Sequence, residues 1–306
     1  MNEISRRTLL GSLAATALAK PAVNPFCYGT YGMRMLSPEV ALRTIAEVGY
    51  DGVEIALMPE YPTDPVKLTP ADRKQIRGLL ENLSLSLPCF LESIAITGQP
   101  KKREENLDRL KRAFELGHDL SPAKLPMVES VIGGKISEWE KLKGPFAEEL
   151  RLWAKVAENA KSIVCFKPHA AHAVHSPERA LWLVKEVGSR HLRIVYDYSH
   201  MSLEGFGLEE SLKQLLPITP ILAVKDAKGT SEKHDYLLPG DGTTNYLEYF
   251  RLLKKFGYTG DIAVEVSAMI HRKPGYEPVP TAKLCYQRLA PALEKAGIKR
   301  PAKKHA

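Results

Sequence analysis

An α/β fold, the eight-fold parallel (β/α)8 TIM barrel, is what this chain predicts, and three observations predict it. Short apolar runs alternate with helix-period segments from Phe26 almost to the end of the 306 residues. In the second half, the apolar runs end in reactive side chains: Lys167-Pro168-His169, Asp197-Tyr198-Ser199-His200, Lys225-Asp226 and Glu265. Strands that deliver charged groups at their carboxyl ends are how a parallel barrel builds an active site. Finally, a unit recurs: Glu47-Val48-Gly49-Tyr50-Asp51-Gly52-Val53-Glu54 is echoed by Lys255-Phe256-Gly257-Tyr258-Thr259-Gly260, followed by a strand carrying Glu265. In both copies a helix ends at a glycine able to take a left-handed cap, and a tight turn launches the next strand.

The strands are expected at Phe26–Thr30, Gly52–Ala56, Leu85–Leu91, Leu125–Val131, Ile163–Lys167, Leu192–Asp197, Ile221–Lys225 and Ile262–Val266. Each is short and apolar on both faces, as burial between barrel interior and outer helices requires. Between them the apolar period changes to that of a helix, as in Ala41, Ile45 and Val48, in Ala180, Leu183, Val184 and Val187, and in Tyr246, Phe250 and Leu253. Ser37-Pro38-Glu39 and Ser176-Pro177-Glu178 each place a capping serine before a proline at the first helical position. A doubly wound open sheet is the alternative, but it usually carries a Gly-rich phosphate turn after its first strand, and Gly29-Thr30-Tyr31-Gly32 does not supply one.

Ahead of the barrel, Ser5-Arg6-Arg7-Thr8-Leu9-Leu10 is a twin-arginine pattern, followed by a mildly apolar stretch and by Ala17-Leu18-Ala19 as a small-residue cleavage site. That order reads as an export signal over residues 1–19, with a periplasmic barrel over 20–298 and a basic tail over 299–306. No run is apolar and long enough to span a membrane. The formal net charge is +7, but the basic residues are interspersed with acids along helices. A nucleic-acid binder concentrates its charge on one face, so no nucleic-acid partner is expected. Cys27, Cys89, Cys165 and Cys285 show no metal-type spacing and read as buried free thiols.

The segments FKPHAAHAVHSPERALWLVKEVGS, IVYDYSH, AVKDAKG, LPGDG and GYTGDIAVEVS together resemble the sugar isomerase/epimerase superfamily of xylose-isomerase-like barrels. The resemblance implies a carbohydrate substrate and proton abstraction beside a carbonyl. In metal-dependent members a Glu, an Asp, a His and a Glu from successive strand ends hold a divalent cation. Carried over, the Asp matches Asp197, the last Glu matches Glu265, and the substrate-facing His of Asp-x-x-His matches His200. The first Glu falls on Lys167 and the ligand His on Ala223. Two repairs stand open. His169 or His172 could complete a metal site with Asp197, His200 and Glu265, since imidazole suits transition metals. Alternatively, the Lys167 ammonium replaces the metal's charge and stabilises an enolate, with Glu265 or His200 as general base.

The candidate set is therefore Glu265, Lys167 and His200 as catalytic residues, and His169, Lys225 and Glu54 as substrate-binding residues. Asp197, Glu265, His200 and His169 form the incomplete metal set. Lys225-Asp226 is expected to support the site from behind. Glu54 lines the pocket or stabilises its strand, Lys167 could be a structural ion-pair partner, and Glu92 is a weaker wall residue. His175 and His271 read as loop residues, Trp139, Trp153 and Trp182 as packing, and Gly240-Asp241-Gly242 as a turn. Three functions compete: a sugar isomerase or epimerase, a keto-sugar lyase that begins with the same proton abstraction, and a carbohydrate-binding protein that has lost its chemistry. The DNA-repair endonuclease branch of the fold needs more metal-binding residues than this chain supplies.

Overall fold

The structure, a computed structural model, describes residues 23–96 and 99–302; the twin-arginine segment lies outside the described residues. Eight parallel strands close into a barrel: β1 (Phe26–Gly29), β2 (Gly52–Ala56), β3 (Ser86–Leu91), β4 (Met127–Ser130), β5 (Val164–Phe166), β6 (Leu192–Asp197), β7 (Ile221–Val224) and β10 (Asp261–Val264). β1 pairs with both β2 and β10, which closes the sheet on itself and leaves no barrel edge. The remaining two strands, β8 (Asp226–Gly229) and β9 (His234–Leu237), form an antiparallel hairpin over the carboxyl end of β7. The sequence pattern did not anticipate this hairpin.

The crossovers are α1 (Pro38–Val48), α2 (Pro70–Asn82), α3 (Pro100–Leu120), α4 (Trp139–Asn159), α5 (Pro177–Val187), α7 (Leu208–Leu215) and α8 (Tyr246–Lys255). Short α6 (Tyr198–Leu203) and α9 (Ala268–His271) follow β6 and β10 at the carboxyl face, and α10 (Pro278–Ala296) completes the ring. Both serine caps form: Ser37 accepts the Val40 N–H and Ser176 that of Arg179. The repeated turn also forms, with Gly49 at φ +114° and Gly257 at φ +67°, backbone angles that a side chain would strain.

Two cores lie on either side of the strands. Tyr28, Val128, Ile194, Leu222 and Val264 face outward onto helices, with Phe114, Trp153 and Leu253 among the partners. Cys27, Cys89, Met127, Cys165, Val195, Ile221, Ala223 and Ala263 pack together inside the barrel, near the amino ends of the strands. All four cysteines are free and buried. The three strand cysteines sit on β1, β3 and β5, which do not neighbour one another. Arg300, assigned by sequence to the basic tail, instead belongs to the barrel: its guanidinium bonds both Asp51 oxygens at 2.7 and 2.8 Å, and Lys299 accepts the Asn24 N–H.

Candidate active site

Five of the inward positions in the apolar plug are followed, two residues on, by an ionisable group. Met127 is followed by Glu129, Cys165 by Lys167, Val195 by Asp197, Ala223 by Lys225 and Ala263 by Glu265. Strand alternation aims both members of each pair at the barrel axis. The second layer is almost fully buried, with Glu54, Glu129, Lys167, Asp197, His200, Lys225 and Glu265 each at 9% exposure or less.

Lys225 holds the centre. Its Nζ bonds Asp197 Oδ2 and lies 3.0 Å from Glu265 Oε1 and 3.2 Å from His200 Nε2. Lys167 Nζ bonds Glu265 Oε2 and lies 3.4 Å from Glu129 Oε1. Glu265 is thus gripped by one ammonium on each oxygen. Asp197 divides its work: Oδ1 caps α6 by accepting the Ser199 N–H at 3.0 Å, and Oδ2 faces Lys225 and His200. That cap fixes the first turn of α6 and with it His200. Tyr236, carried in by the β8–β9 hairpin, places its hydroxyl 2.8 Å from His200 Nδ1. The Lys225 ammonium lies 5.1 Å from the Tyr236 ring centre, a cation–π distance.

Burial opposes charge on every member, and the partners decide the outcome. Burial would discharge Lys167, but Glu129, Glu265, Asp197 and Glu54 outweigh it and raise its pKa well above the usual lysine value. Burial would protonate Glu265, but Lys167 and Lys225 hold it far below the usual carboxylate range. Glu54 has no such grip: burial and then the Glu129 charge push it well up, against the pull of the more distant Lys167. Burial likewise raises Glu129, against the pull of Lys167. His200 is held neutral by burial and by its imidazole and ammonium neighbours. His169, half-buried, stacked on His172 at 4.3 Å and tilted against His200 at 3.9 Å, is pushed down to about 3 by desolvation and then by His172. Its Nδ1 lies 2.9 Å from its neighbour's carbonyl, Ala170 O, which places the proton on Nδ1 and the lone pair on Nε2.

Above this layer is a cavity of about 280 Å³, walled by Tyr31, Met58, Leu91, Val131 and Met269 opposite Lys167, His169, Lys225, Tyr236 and Glu265. A larger cavity of about 1060 Å³ opens at the amino ends of the strands, lined by residues such as Lys161, Arg190 and Lys213. In this architecture the carboxyl face carries the chemistry, and the charged layer lies under the smaller cavity.

The structure therefore brings Glu265, Lys167, His200, His169, Lys225 and Asp197 together. Lys225, expected behind the site, stands in its middle. Glu54 lies beneath the pocket rather than on its wall. Glu92 does line the cavity, but its carboxylate is occupied by Arg109, which donates to it from Nε at 2.9 Å and from its terminal nitrogen at 2.7 Å. His172 extends the imidazole stack outward, and His271 is buried against Tyr31 at 4.7 Å rather than free in a loop. Asp226 organises the next loop by accepting the Gly240, Gly242 and Thr244 N–H groups. A Cβ on Gly242 would lie 2.8 Å from its carboxyl carbon, so the loop requires glycine there. Sequence reasoning missed Glu129 and Tyr236. The signal for Glu129 was available: a carboxylate two residues past Met127, in phase with the inward positions. Tyr236 carries none, because an irregular hairpin delivers it.

The proposed metal set fares differently. Asp197, His200 and Glu265 do converge, but on the Lys225 ammonium. His169 packs its ring against His200, tilted by 38° with centroids 3.9 Å apart, and its Nδ1 is engaged by the Ala170 carbonyl. Among the described residues no group of three or more His, Cys, Asp or Glu side chains is arranged to hold a metal ion. The residues present do not fit a divalent cation.

Residues 42–296 match the family of xylose isomerase-like TIM barrels, and the chain belongs to that family. Among curated relatives, fructoselysine 3-epimerase of Escherichia coli O157:H7 is 24% identical over 260 residues, covering 80% of this chain and 91% of the relative. Among solved structures, 3-keto-D-glucoside 4-epimerase from E. coli superposes with a TM-score of 0.71 at 15% identity, over 88% of this chain and 99% of its own. The IOLI protein, solved with a bound zinc atom, superposes with a TM-score of 0.73 at 18% identity, over 89% and 99% of the two chains. This chain is thus similar to sugar epimerases in sequence and shares its fold with structures that include a metal-bound one.

Proposed function

We propose that this protein is a sugar isomerase or epimerase that removes a proton from the carbon beside a carbonyl of a small carbohydrate. The observation that carries the reading is the position of Glu265. Its side chain is 12% exposed at the pocket floor, whereas those of Asp197 and Glu129 are fully buried. It is the carboxylate of the layer that a substrate can touch, and the two ammonium groups on it stand where charge must be stabilised next.

In the bound state the substrate carbonyl oxygen accepts a hydrogen bond from an ammonium. The C–H bond then breaks, its proton passes to Glu265, and its electron pair moves into the carbonyl oxygen as an enolate. An ammonium fixed in a dry site stabilises that oxyanion without reorganisation. Sharing ammonium protons with substrate also loosens the grip on Glu265 and makes it a stronger base. Protonation of the same carbon on its other face, by an ammonium or by water, gives an epimer; protonation of the neighbouring carbon, with the hydroxyl proton of the first carbon passing to the enolate oxygen, gives an isomer. Loss of a leaving group from the same enolate is the lyase outcome. His169 Nε2, unprotonated, is an acceptor for a substrate hydroxyl, and His200 and Tyr236 hold the far side of Lys225.

The cavity lies at the small end of ligand pockets, which commonly hold about 300–1,000 Å³, and suits a monosaccharide. Its apolar wall faces the C–H side of a sugar ring, and its ionic wall faces the hydroxyls. We further propose export through the twin-arginine route to the periplasm. Four buried thiols, the strand three on strands that do not neighbour, are compatible with an oxidising compartment.

The test is incubation with free aldoses, ketoses and 3-keto sugars in deuterated water, read by NMR. Deuterium entering one carbon beside the carbonyl supports proton abstraction, and the product's configuration separates epimer, isomer and eliminated sugar. Binding of a sugar without exchange in any panel member would sink the enzymatic reading in favour of a carbohydrate-binding protein.

A further inference from the structure

We infer that Lys225 is a built-in cation: its ammonium occupies the place of the divalent metal, so the protein enolises its substrate without a metal ion. The inference rests on the proposed enolising reading and deepens it by naming the electrophile.

Asp197 and Glu265, which the resemblance aligns with metal ligands, and His200, aligned with the substrate-facing histidine, surround one point, and Lys225 Nζ is at that point. It bonds Asp197 and lies 3.0 Å from Glu265 and 3.2 Å from His200. A divalent ion placed there would meet an ammonium at contact distance, and like charges in a buried site repel strongly. The two positions that depart from the ligand pattern agree with this. Ala223 sits in the apolar plug directly below Lys225, where a small side chain leaves room for the lysine stem. Lys167 puts a second ammonium where a carboxylate ligand is expected, and bonds the same Glu265. One substitution could be decay. Two ammonium groups, each bonded to a carboxylate of the former ligand set, amount to a replacement of the metal's charge.

The replacement supplies positive charge as well as filling the place. Two ammonium groups supply the two positive charges of a divalent ion, spread over both oxygens of Glu265. An ammonium also donates protons, which a metal cannot, so the enolate oxygen is held by a hydrogen bond rather than by coordination.

The test uses the purified full chain, dialysed against a chelator and then titrated with Co²⁺ as a spectroscopic probe. The expected results are a metal content well below one ion per chain, unchanged activity after chelation, and no Co²⁺ ligand-field bands. In Lys225→Ala the three donors are released, and Co²⁺ should bind with bands that disappear in the Lys225→Ala/Asp197→Asn double variant. The gain expected is about tenfold or more in affinity, from removing one like-charge contact. Stoichiometric metal in the wild type, or loss of activity on chelation that Co²⁺ or Mn²⁺ restores, overturns the inference. So does a folded Lys225→Ala chain that gains no Co²⁺ affinity. If that variant does not fold, the wild-type metal content and chelator response decide alone. The deuterium experiment separately decides the enolising reading: exchange without metal supports both, and metal-dependent exchange sinks only the built-in cation.

Discussion

Met127, Cys165, Val195, Ala223 and Ala263 face the barrel axis near its amino end, while Glu129, Lys167, Asp197, Lys225 and Glu265 face it one inward step later on the same chain segments. The first layer is dry and uncharged, and the second is almost wholly ionic. The difference teaches how this barrel makes charge useful. An apolar plug beneath the ionic layer keeps water away from its underside, so each charge must be satisfied by another side chain. Glu265, gripped by two ammonium groups, is held far below the usual carboxylate range, and Glu54, left without such a grip, is pushed well above it.

Breaking the upper layer at its pocket-facing carboxylate gives the largest effect. Glu265→Gln keeps shape but removes the base and one negative partner of two ammonium groups. Turnover should fall about 10²–10⁴-fold, the usual contribution of general-base catalysis. The same factor should appear in deuterium exchange, with sugar binding changed far less. Exchange that survives in Glu265→Gln would transfer the base role to another group.

Lys225→Met tests the layer as an electrostatic unit. It leaves Asp197 and Glu265 short of a partner inside the barrel, and unpairing a buried charge commonly costs about 3–5 kcal/mol. Chemical denaturation at neutral pH should show that loss. The loss should shrink on acidification, because protonating the freed carboxylates removes their unpaired charge. A loss below about 1 kcal/mol, typical of surface pairs, would mean that solvent already reaches the layer.

Cys165→Ser probes the plug instead. The volume is nearly kept, but a hydroxyl enters a site where the neighbours are thiols and aliphatic groups. An unsatisfied buried polar group costs about 1–3 kcal/mol, which should appear in the melting temperature while turnover at moderate temperature holds. If turnover falls in step with Glu265→Gln, the two layers are not separable.

Most of this architecture was legible in sequence because strand burial and helix period are local signals. All eight barrel strands fall within a few residues of their expected bounds; Asp197, Glu265 and Lys167 sit at strand ends, and His200 follows β6 in the first turn of α6. What sequence could not give is which ammonium meets which carboxylate. Lys225 and Asp197 are on neighbouring strands and Lys167 and Glu265 are 98 residues apart, and those partnerships depend on register and side-chain reach. Glu129 is one polar residue in an apolar strand, and only its spatial neighbours mark it as part of the site. Tyr236 reaches His200 through a hairpin whose sequence, Asp226 to Leu237, has no clear period.

Glu54→Gln has its smallest effect at low pH and gives the finest reading of the contrast, because its size depends on pH. In the folded chain Glu54 has a pKa raised by burial and by the Glu129 charge. In the unfolded chain the group titrates near 4.3, about the free value. Between those two values the folded state holds a proton that the unfolded state has released. Stability contributed by this group is therefore lost as pH rises through that window, at up to about 1.4 kcal/mol per pH unit. Glutamine cannot titrate, so the variant escapes the loss. Its stability relative to wild type should climb from pH 4.5 upward and level off once the folded Glu54 ionises, an approximate window set by the free carboxylate value. Denaturation curves at a series of pH values read this directly. A flat difference would mean that Glu54 is already ionised in the folded chain, and that the ungripped carboxylate is as well solvated as the gripped ones are paired.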